Sequence, residues 1–248
     1  AGERSGQGLD AGTQEHRHVG TMFHHLQELY RYRDLLVSLA LRDIKVRYRQ
    51  TLLGVAWAVV QPLLFMVIFT LVFGKFGKMS SDGTPYPIFS YTGLVPWTLF
   101  ASGLGLAVNS VANNMNLVKK IYFPREVFPL SAIGGCLMDF LVASTVIAVL
   151  MVIYRVPGSL QLLWLPWLIA LELGLIVALG LFASALNVFY RDVKYIVPLA
   201  VQLWLFITPV IYPVSKVPEH LRQWYLLNPM AVVVDGVRRV VLHGQPPD

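Results

Sequence analysis

The sequence predicts an all-α membrane protein, and two observations indicate this. Of its 248 residues, 56% are hydrophobic and only 14% are charged, whereas charged residues make up about 25% of a soluble domain. Long stretches also lack any charge: 25 residues separate Arg49 from Lys75, and 36 separate Asp82 from Lys119. Because about 20 apolar residues cross a bilayer as a helix, such stretches are long enough to span it. The composition excludes a soluble globular domain and a disordered chain.

The N-terminal part predicts a leader followed by an interfacial helix. Residues 1–21 are polar and rich in Gly and His, so we expect a disordered leader or a cloning remnant. Residues 22–50 predict an amphipathic helix. Apolar side chains recur on one face at helical spacing: Val37, Leu41, Ile44 and Tyr48. Basic side chains fall on another face, near anionic lipid head groups: Arg42, Lys45 and Arg49. The helix either only fixes the orientation of the chain in the membrane or also contacts a cytoplasmic partner.

The remaining residues, 51–248, predict the transmembrane domain. Five spans are expected, at about 52–73, 88–112, 128–153, 162–188 and 195–214. The apolar pieces after the fifth span are too short to cross a bilayer, so residues 215–241 predict short re-entrant or gate helices. The sequence ends on Pro246-Pro247-Asp248, and we expect a sixth span that is absent from this chain.

The distribution of Lys and Arg predicts the orientation. With the N-terminus in the cytoplasm, 13 of the 20 Lys and Arg residues lie on the cytoplasmic side and 7 on the other. The positive-inside rule favours this orientation. It places Asn113–Glu126 and Tyr190–Tyr195 in the cytoplasm, and Lys75–Pro87 on the opposite side.

The first predicted cytoplasmic loop contains apolar side chains that no span explains. Leu117, Ile121 and Tyr122 flank the cationic pair Lys119-Lys120. A short helix with exposed apolar side chains is suited to a groove on a partner protein. The alternative is that the aromatic side chains enter the lipid interface. The residues alone leave both interpretations open.

Two carboxylates, Asp139 and Glu172, fall about a dozen residues into the third and fourth predicted spans. Intramembrane carboxylates are costly and often functional, so a proton relay or a grip on a polar substrate is one interpretation. The other is a structural role, in which hydrogen bonds to neighbours satisfy them. Thr145, Ser144 and Asn187 are the expected donors.

Proline residues interrupt the first and fifth predicted spans and predict kinks there. Bulky aromatic side chains in these two spans offer flat faces on which sugar rings could slide. We expect four of them to line a channel: Trp57, Phe65, Trp204 and Tyr212. The alternative is that each faces lipid or packs against a neighbouring helix.

Motifs for catalysis and for nucleotide binding are missing. The sequence has no G-x-x-x-x-G-K-[ST] loop for ATP, no H-E-x-x-H and no G-x-S-x-G. Its six His residues lie outside the predicted spans, and its single Cys136 excludes an internal disulfide and a cysteine-based metal cluster. We therefore expect a chain without catalytic residues, cofactor, metal or nucleic-acid partner.

Several blocks together resemble the ABC-2 permeases that export polysaccharides. They follow one another over residues 31–242: Leu41–Leu64, Gly93–Phe100, Asn109–Glu126, Ala185–Pro213 and Leu227–Leu242. The blocks are most similar to the O-antigen exporter permease family (Wzm-like), with capsule and teichoic-acid exporters as related families.

The resemblance implies the transmembrane domain of a type V exporter, with six spans and an N-terminal interfacial helix. It also implies gate helices within 215–241 and a coupling helix that contacts the ATPase. The coupling helix maps onto these residues: Asn116, Leu117, Val118, Lys119, Lys120, Ile121, Tyr122 and Phe123.

The resemblance further implies a homodimer in the bacterial inner membrane, docked to two copies of a separate ATP-binding subunit that holds Mg-ATP. Its cargo would be a polyprenyl-diphosphate-linked glycan carried from cytoplasm to periplasm. The sequence does not say which glycan. The alternatives are an ABC-2 exporter of a small molecule or drug, an intramembrane enzyme using Asp139 and Glu172, and a scaffold subunit without transport.

Overall fold

The computed structural model describes residues 32–49, 54–119, 124–218 and 227–247. Every regular element in these ranges is helical. We number the α-helices along the chain: α1 Arg33–Arg49, α2 Trp57–Phe69, α3 Tyr86–Asn113, α4 Met115–Val118, α5 Val127–Ile153, α6 Leu165–Phe189, α7 Val193–Ile207 and α8 Pro229–Arg238. Turns of 3₁₀-helix precede α2 and α6 (Gly54–Ala56 and Leu160–Trp164), and π-helical turns extend α2 and α8 (Thr70–Phe76 and Arg239–His243).

Four helical segments are long and apolar enough to cross a membrane: Gly54–Phe76, Tyr86–Asn113, Val127–Ile153 and Leu160–Phe189. They correspond to the first four predicted spans, with small shifts at their ends. The all-helical membrane architecture predicted from the composition is therefore confirmed.

The fifth apolar helix, α7, is shorter than predicted. It has 15 residues and ends at Ile207, whereas the sequence predicted a span up to residue 214. Thr208 has an extended backbone, with ψ of 142°, because the ring of the following Pro209 disfavours the helical conformation in the residue before it. The chain then leaves the helix within the bundle.

Helix α3 is the centre of the bundle. It packs most extensively against α5 and α6, and also against α2, α7 and α8. Within the most apolar stretch of each span, 67% of the residues are buried in α3, against 6% in the segment containing α2 and 11% in α5. The outer helices therefore present apolar surface away from the bundle, as helices in lipid can.

Helix α1 lies against α5. Its Leu39 is buried in a cluster that includes Val111 and Phe128. Val37 and Leu41, which were predicted on the apolar face, are 54% and 51% exposed. The helix thus packs through the adjacent face and leaves these two side chains outside.

The short helix α8 begins at a hydrogen-bonded cap. The Asn228 side chain accepts from the amide of Met230 at 3.1 Å, and Pro229 occupies the first helical turn, where its missing N–H costs nothing. The same Asn228 accepts from Trp204 Nε1 at 2.9 Å and donates to Thr208 Oγ1 at 3.1 Å. These contacts tie the start of α8 to the end of α7.

Candidate transport and coupling sites

Asp139 on α5 is held by two adjacent residues at the end of α1. The guanidinium of Arg47 forms an ion pair with one carboxylate oxygen, and the hydroxyl of Tyr48 donates to the other. The Arg47 and Asp139 side chains are 29% and 23% exposed. Burial, reinforced by the hydrogen bond to Asp139, raises the pKa of Tyr48 to about 12. The ion pair thus joins α1 to α5.

The predicted donors to the carboxylates were wrong. Ser144 and Thr145 donate to backbone carbonyls of their own helix at 2.7 Å, as hydroxyls inside helices commonly do. Asn187 donates to the Val108 carbonyl at 2.9 Å. Sequence reasoning missed Arg47 because it treated the basic residues of α1 as lipid anchors. Arg47 lies three residues after Ile44, which would have placed it on the same face.

A cavity of about 540 Å³ lies between α1, α2, α3 and α5. The ion pair of Arg47 and Asp139 forms part of its wall, beside Cys136. Helix α2 contributes four further wall residues: Trp57, Ala58, Gln61 and Pro62. The volume falls within the range of about 300–1,000 Å³ that is typical of small-molecule sites.

Glu172 on α6 is in a different environment from Asp139. Its side chain is fully buried, and no side chain among the described residues forms a hydrogen bond with either carboxyl oxygen. The two carboxyl groups therefore form no pair. Across residues 32–49, 54–119, 124–218 and 227–247, no group of three His, Cys, Asp or Glu side chains could hold a metal ion.

The four aromatic residues predicted to line a channel fall into two kinds. Trp57 and Phe65 on α2 are 45% and 41% exposed. Trp204 is bound to Asn228 and lies edge-on to the Phe100 ring, with the ring centres 5.2 Å apart. Tyr212 lies beyond α7, and its hydroxyl donates to a backbone carbonyl of that helix. Trp204 and Tyr212 are thus hydrogen-bonded within the chain, whereas Trp57 and Phe65 are exposed.

The start of the predicted coupling helix is tied to α1. Its first residues belong to α4, whereas residues 120–123 lie outside the described residues. Leu117 packs against the cluster around Leu39 of α1, and two residues before the predicted segment Asn114 Oδ1 accepts from Arg42 at 3.1 Å. These contacts place the described start of the segment against α1.

Arg238 on α8 is a functional candidate that sequence reasoning missed. Although charged, it is only 2% exposed. It donates to the carbonyl oxygens of Phe89 and Val210 at 3.2 and 2.5 Å, and also to that of Pro209. These last two carbonyls are available because α7 has already ended. Burial also raises the pKa of Asp235 on the same helix above its usual range, and the Arg238 charge opposes this shift.

Comparison with known proteins gives one consistent result. The model of the ABC-2 type transporter family matches residues 34–242. The O-antigen export system permease protein RfbA of Myxococcus xanthus is 31% identical over 225 residues, which are 90% of this chain and 86% of the relative.

Two further relatives come from other bacteria. The RfbA protein of Klebsiella pneumoniae, also named an O-antigen export system permease, is 34% identical over 85% of this chain and 81% of its own length. The polysialic acid transport protein KpsM of Escherichia coli is 26% identical over 84% of this chain and 81% of its own length. With a family match over most of its length, this chain belongs to the ABC-2 type transporter family.

Proposed function

We propose that this chain is the transmembrane permease subunit of an ABC exporter of polysaccharide, with an O-antigen-like glycan as cargo. The observation that carries the proposal is the similarity to two O-antigen export permeases over 90% and 85% of the chain. The similarity to a polysialic acid transport protein supports a polysaccharide more broadly. No comparable observation favours a small-molecule exporter, an enzyme or a scaffold.

The cargo is a polyprenyl-diphosphate-linked glycan, which a homodimer carries across the bacterial inner membrane from cytoplasm to periplasm. The excess of Lys and Arg residues in the loops on the same side of the membrane as the N-terminus supports a cytoplasmic N-terminus. An apolar stripe on α7 supports a second copy, because Leu199, Leu203 and Phe206 recur on one face and are 58%, 58% and 59% exposed.

Residues 116–123 contact a separate ATPase subunit, which binds Mg-ATP and supplies the free energy for export. The contacts of the described part support this coupling route. Leu117 of the segment packs against the cluster around Leu39 of α1, and Arg42 of α1 donates to Asn114 just before the segment. Arg47 joins α1 to Asp139 on α5. Motion of the coupling segment would therefore bias the arrangement of the spans.

Trp57 and Phe65 belong to the channel wall, and α8 within residues 215–241 belongs to the gate. The exposure of the two aromatic rings supports the first assignment. Alanine at either position should reduce export of long polymer while leaving the amount of complex unchanged. Alanine at the hydrogen-bonded Trp204 should instead reduce the amount of folded complex.

The proposed cargo can be tested in the native bacterium. Deletion of this chain should remove the polymer from the cell surface and accumulate it, still lipid-linked, inside. Re-expression of the chain should restore surface polymer. Unchanged surface polymer in the deletion strain would overturn the proposed function.

The docking of the ATPase can be tested with a double variant, Ile121→Asp with Tyr122→Asp. The charges should release the ATPase during detergent purification without loss of membrane insertion, because they replace apolar contacts. The matched control is Ile121→Leu with Tyr122→Phe, which keeps the apolar character and should retain the ATPase. An intact complex with both aspartates present would contradict the docking.

The orientation can be tested by single cysteines in a Cys136→Ser background. An impermeant thiol reagent on intact cells should label a cysteine at position 82 but not one at position 119. The reverse pattern would overturn the proposed topology.

A further inference from the structure

The cavity between α1, α2, α3 and α5 has a wall whose fixed charges cancel. Arg47 and Asp139 stand side by side in it as an ion pair. An ionic ligand attracted to one of these groups would be repelled by the other at nearly the same distance. A neutral, polar ligand meets no such opposition and can use both donor and acceptor groups. The cavity therefore favours neutral polar ligands over phosphate or carboxylate.

The same wall offers unused polar groups on α2. Pro62 lacks an N–H, so the carbonyl of Ala58, four residues earlier, has lost its usual helical donor. The exposed amide of Gln61 lies on the same turn and also lines the cavity. Across the cavity, the exposed Ser102 on α3 adds a hydroxyl. This arrangement suits a ligand with several hydroxyl groups.

An indole ring lies beside these polar groups. Trp57 lines the cavity and remains 45% exposed, so part of its flat face is available to a ligand. A pyranose has one apolar face of C–H groups and a rim of hydroxyls. It can place that face on the indole while its hydroxyls contact the polar groups of the wall.

We propose that this cavity binds a neutral sugar unit. The proposal rests on the proposed export of a glycan and deepens it: the cavity lies within one copy of the chain and contacts a hexose of the cargo's head group. Trp57 contributes the stacking surface, and Gln61 and the ion pair contribute hydrogen bonds.

The test uses the full chain in lipid nanodiscs and a photoreactive octyl β-glucoside with the reactive group in its alkyl chain. Irradiation should attach the probe to peptides that line the cavity, as mapped by mass spectrometry. An octyl phosphocholine of the same design should label these peptides about tenfold less. Equal labelling by both head groups would overturn the proposal, because the cavity would then take only the alkyl chain.

Two variants and one control identify the contacts. Trp57→Ala and Gln61→Ala should each lower glucoside labelling about tenfold, the effect of losing about 1.4 kcal/mol of binding free energy. Both positions are exposed, so folding should survive. Trp167→Ala is the matched control, since Trp167 is 60% exposed on α6 and does not line the cavity. Labelling that neither variant lowers would contradict the site.

Competition separates two sources of the sugar. Soluble methyl β-glucoside should displace the probe if any free sugar enters the cavity, whereas displacement by octyl glucoside alone would restrict the site to lipid-linked sugars. Either result supports a sugar site. Absence of glucoside labelling in a chain that still exports polymer in cells would overturn the sugar site alone. Unchanged surface polymer in the deletion strain, with glucoside labelling of the purified chain intact, would overturn the proposed function alone.

Discussion

The guanidinium carbon of Arg238 lies 3.7 Å from the centre of the Phe89 ring, and its Nε donates to the Phe89 carbonyl oxygen at 3.2 Å. The two residues are 149 positions apart in the sequence. Cation–π contacts become stronger when the cation is withdrawn from water, and Arg238 is 2% exposed. The contact therefore fixes the short helix α8 to the beginning of α3.

The contact between Arg238 and Phe89 predicts the effect of adding a methyl group at Gly93 on α3. A Cβ at Gly93 would collide with Arg238 Nη2 and lie 3.0 Å from its Cζ. Gly93→Ala should therefore lower the melting temperature of the purified chain, because a buried guanidinium would lose carbonyl partners worth about 1.5–3 kcal/mol each.

Gly105→Ala is the control for Gly93→Ala on the same helix. A Cβ at Gly105 meets nothing within 4 Å, so this change should leave the melting temperature unchanged or raise it slightly, since alanine favours a helix. Equal melting temperatures for the two variants would show that the contacts of Arg238 near Gly93 do not stabilise the fold.

The ion pair between α1 and α5 predicts unequal effects of single and double substitutions. Asp139→Asn leaves the partly buried Arg47 without its counter-charge, and we expect a loss of about 2–4 kcal/mol. Combining it with Arg47→Met should restore part of that stability, because the uncompensated charge is gone. Thermal unfolding of the two single variants and the double variant measures the coupling, and strictly additive losses would contradict it.

The raised pKa of Tyr48 predicts that the chain loses stability at alkaline pH. Its pKa is 10.0 when unperturbed and about 12 in the folded chain, because burial and the hydrogen bond to Asp139 favour the neutral hydroxyl. The contribution of the neutral Tyr48 hydroxyl to the free energy of unfolding is complete below pH 10. This contribution is lost as the pH rises to about 12, because the hydroxyl ionises first in the unfolded chain.

The measurement for Tyr48 is the melting temperature at pH 9 and pH 12. Tyr48→Phe should show a smaller decrease between these pH values than the unsubstituted chain. Tyr195→Phe is the control, since Tyr195 is 68% exposed, and it should behave as the unsubstituted chain. An unchanged pH dependence in Tyr48→Phe would argue against this assignment.

The spans could be predicted from the sequence because bilayer thickness alone sets the length of an apolar run. The end of α7 could have been predicted too, since Pro209 restrains Thr208 locally. The partners of the buried charges could not. Arg238 contacts a carbonyl 149 residues away and Arg47 a carboxylate 92 residues away. Such pairings depend on how the helices pack, which no local pattern specifies.

The residues of the candidate channel wall also could not be predicted from local patterns. Spacing and residue type made Trp57 and Trp204 look equivalent, yet one is 45% exposed and the other is hydrogen-bonded to Asn228. An apolar residue in a span has the same composition signal whether it faces lipid, a channel or another helix. Only the packing of α7 against α3 and α8 distinguishes these cases.

Substitution of Glu172 tests whether this buried carboxyl group has a structural role or a role in transport. A carboxylate charge without a partner at full burial would cost several kcal/mol, whereas glutamine keeps the shape without the charge. We therefore expect Glu172→Gln to retain normal amounts of complex and normal export. Glu172→Lys should abolish folding. Loss of export in a well-folded Glu172→Gln variant would instead assign the acid a role in transport.

The close approach of α3 and α6 provides the last prediction. A Cβ at Gly180 would lie 2.9 Å from the Cβ of Ala107, which is a rigid atom next to the backbone. Small residues allow such helix contacts in membranes, so Gly180→Ala must push the helices apart. We expect a loss of about 1–3 kcal/mol, typical of overpacking. The matched control is Gly174→Ala on the same helix, where a Cβ meets nothing within 4 Å. The amount of folded complex and its melting temperature should fall for Gly180→Ala only, and equal values for the two variants would show that this contact does not hold α3 against α6.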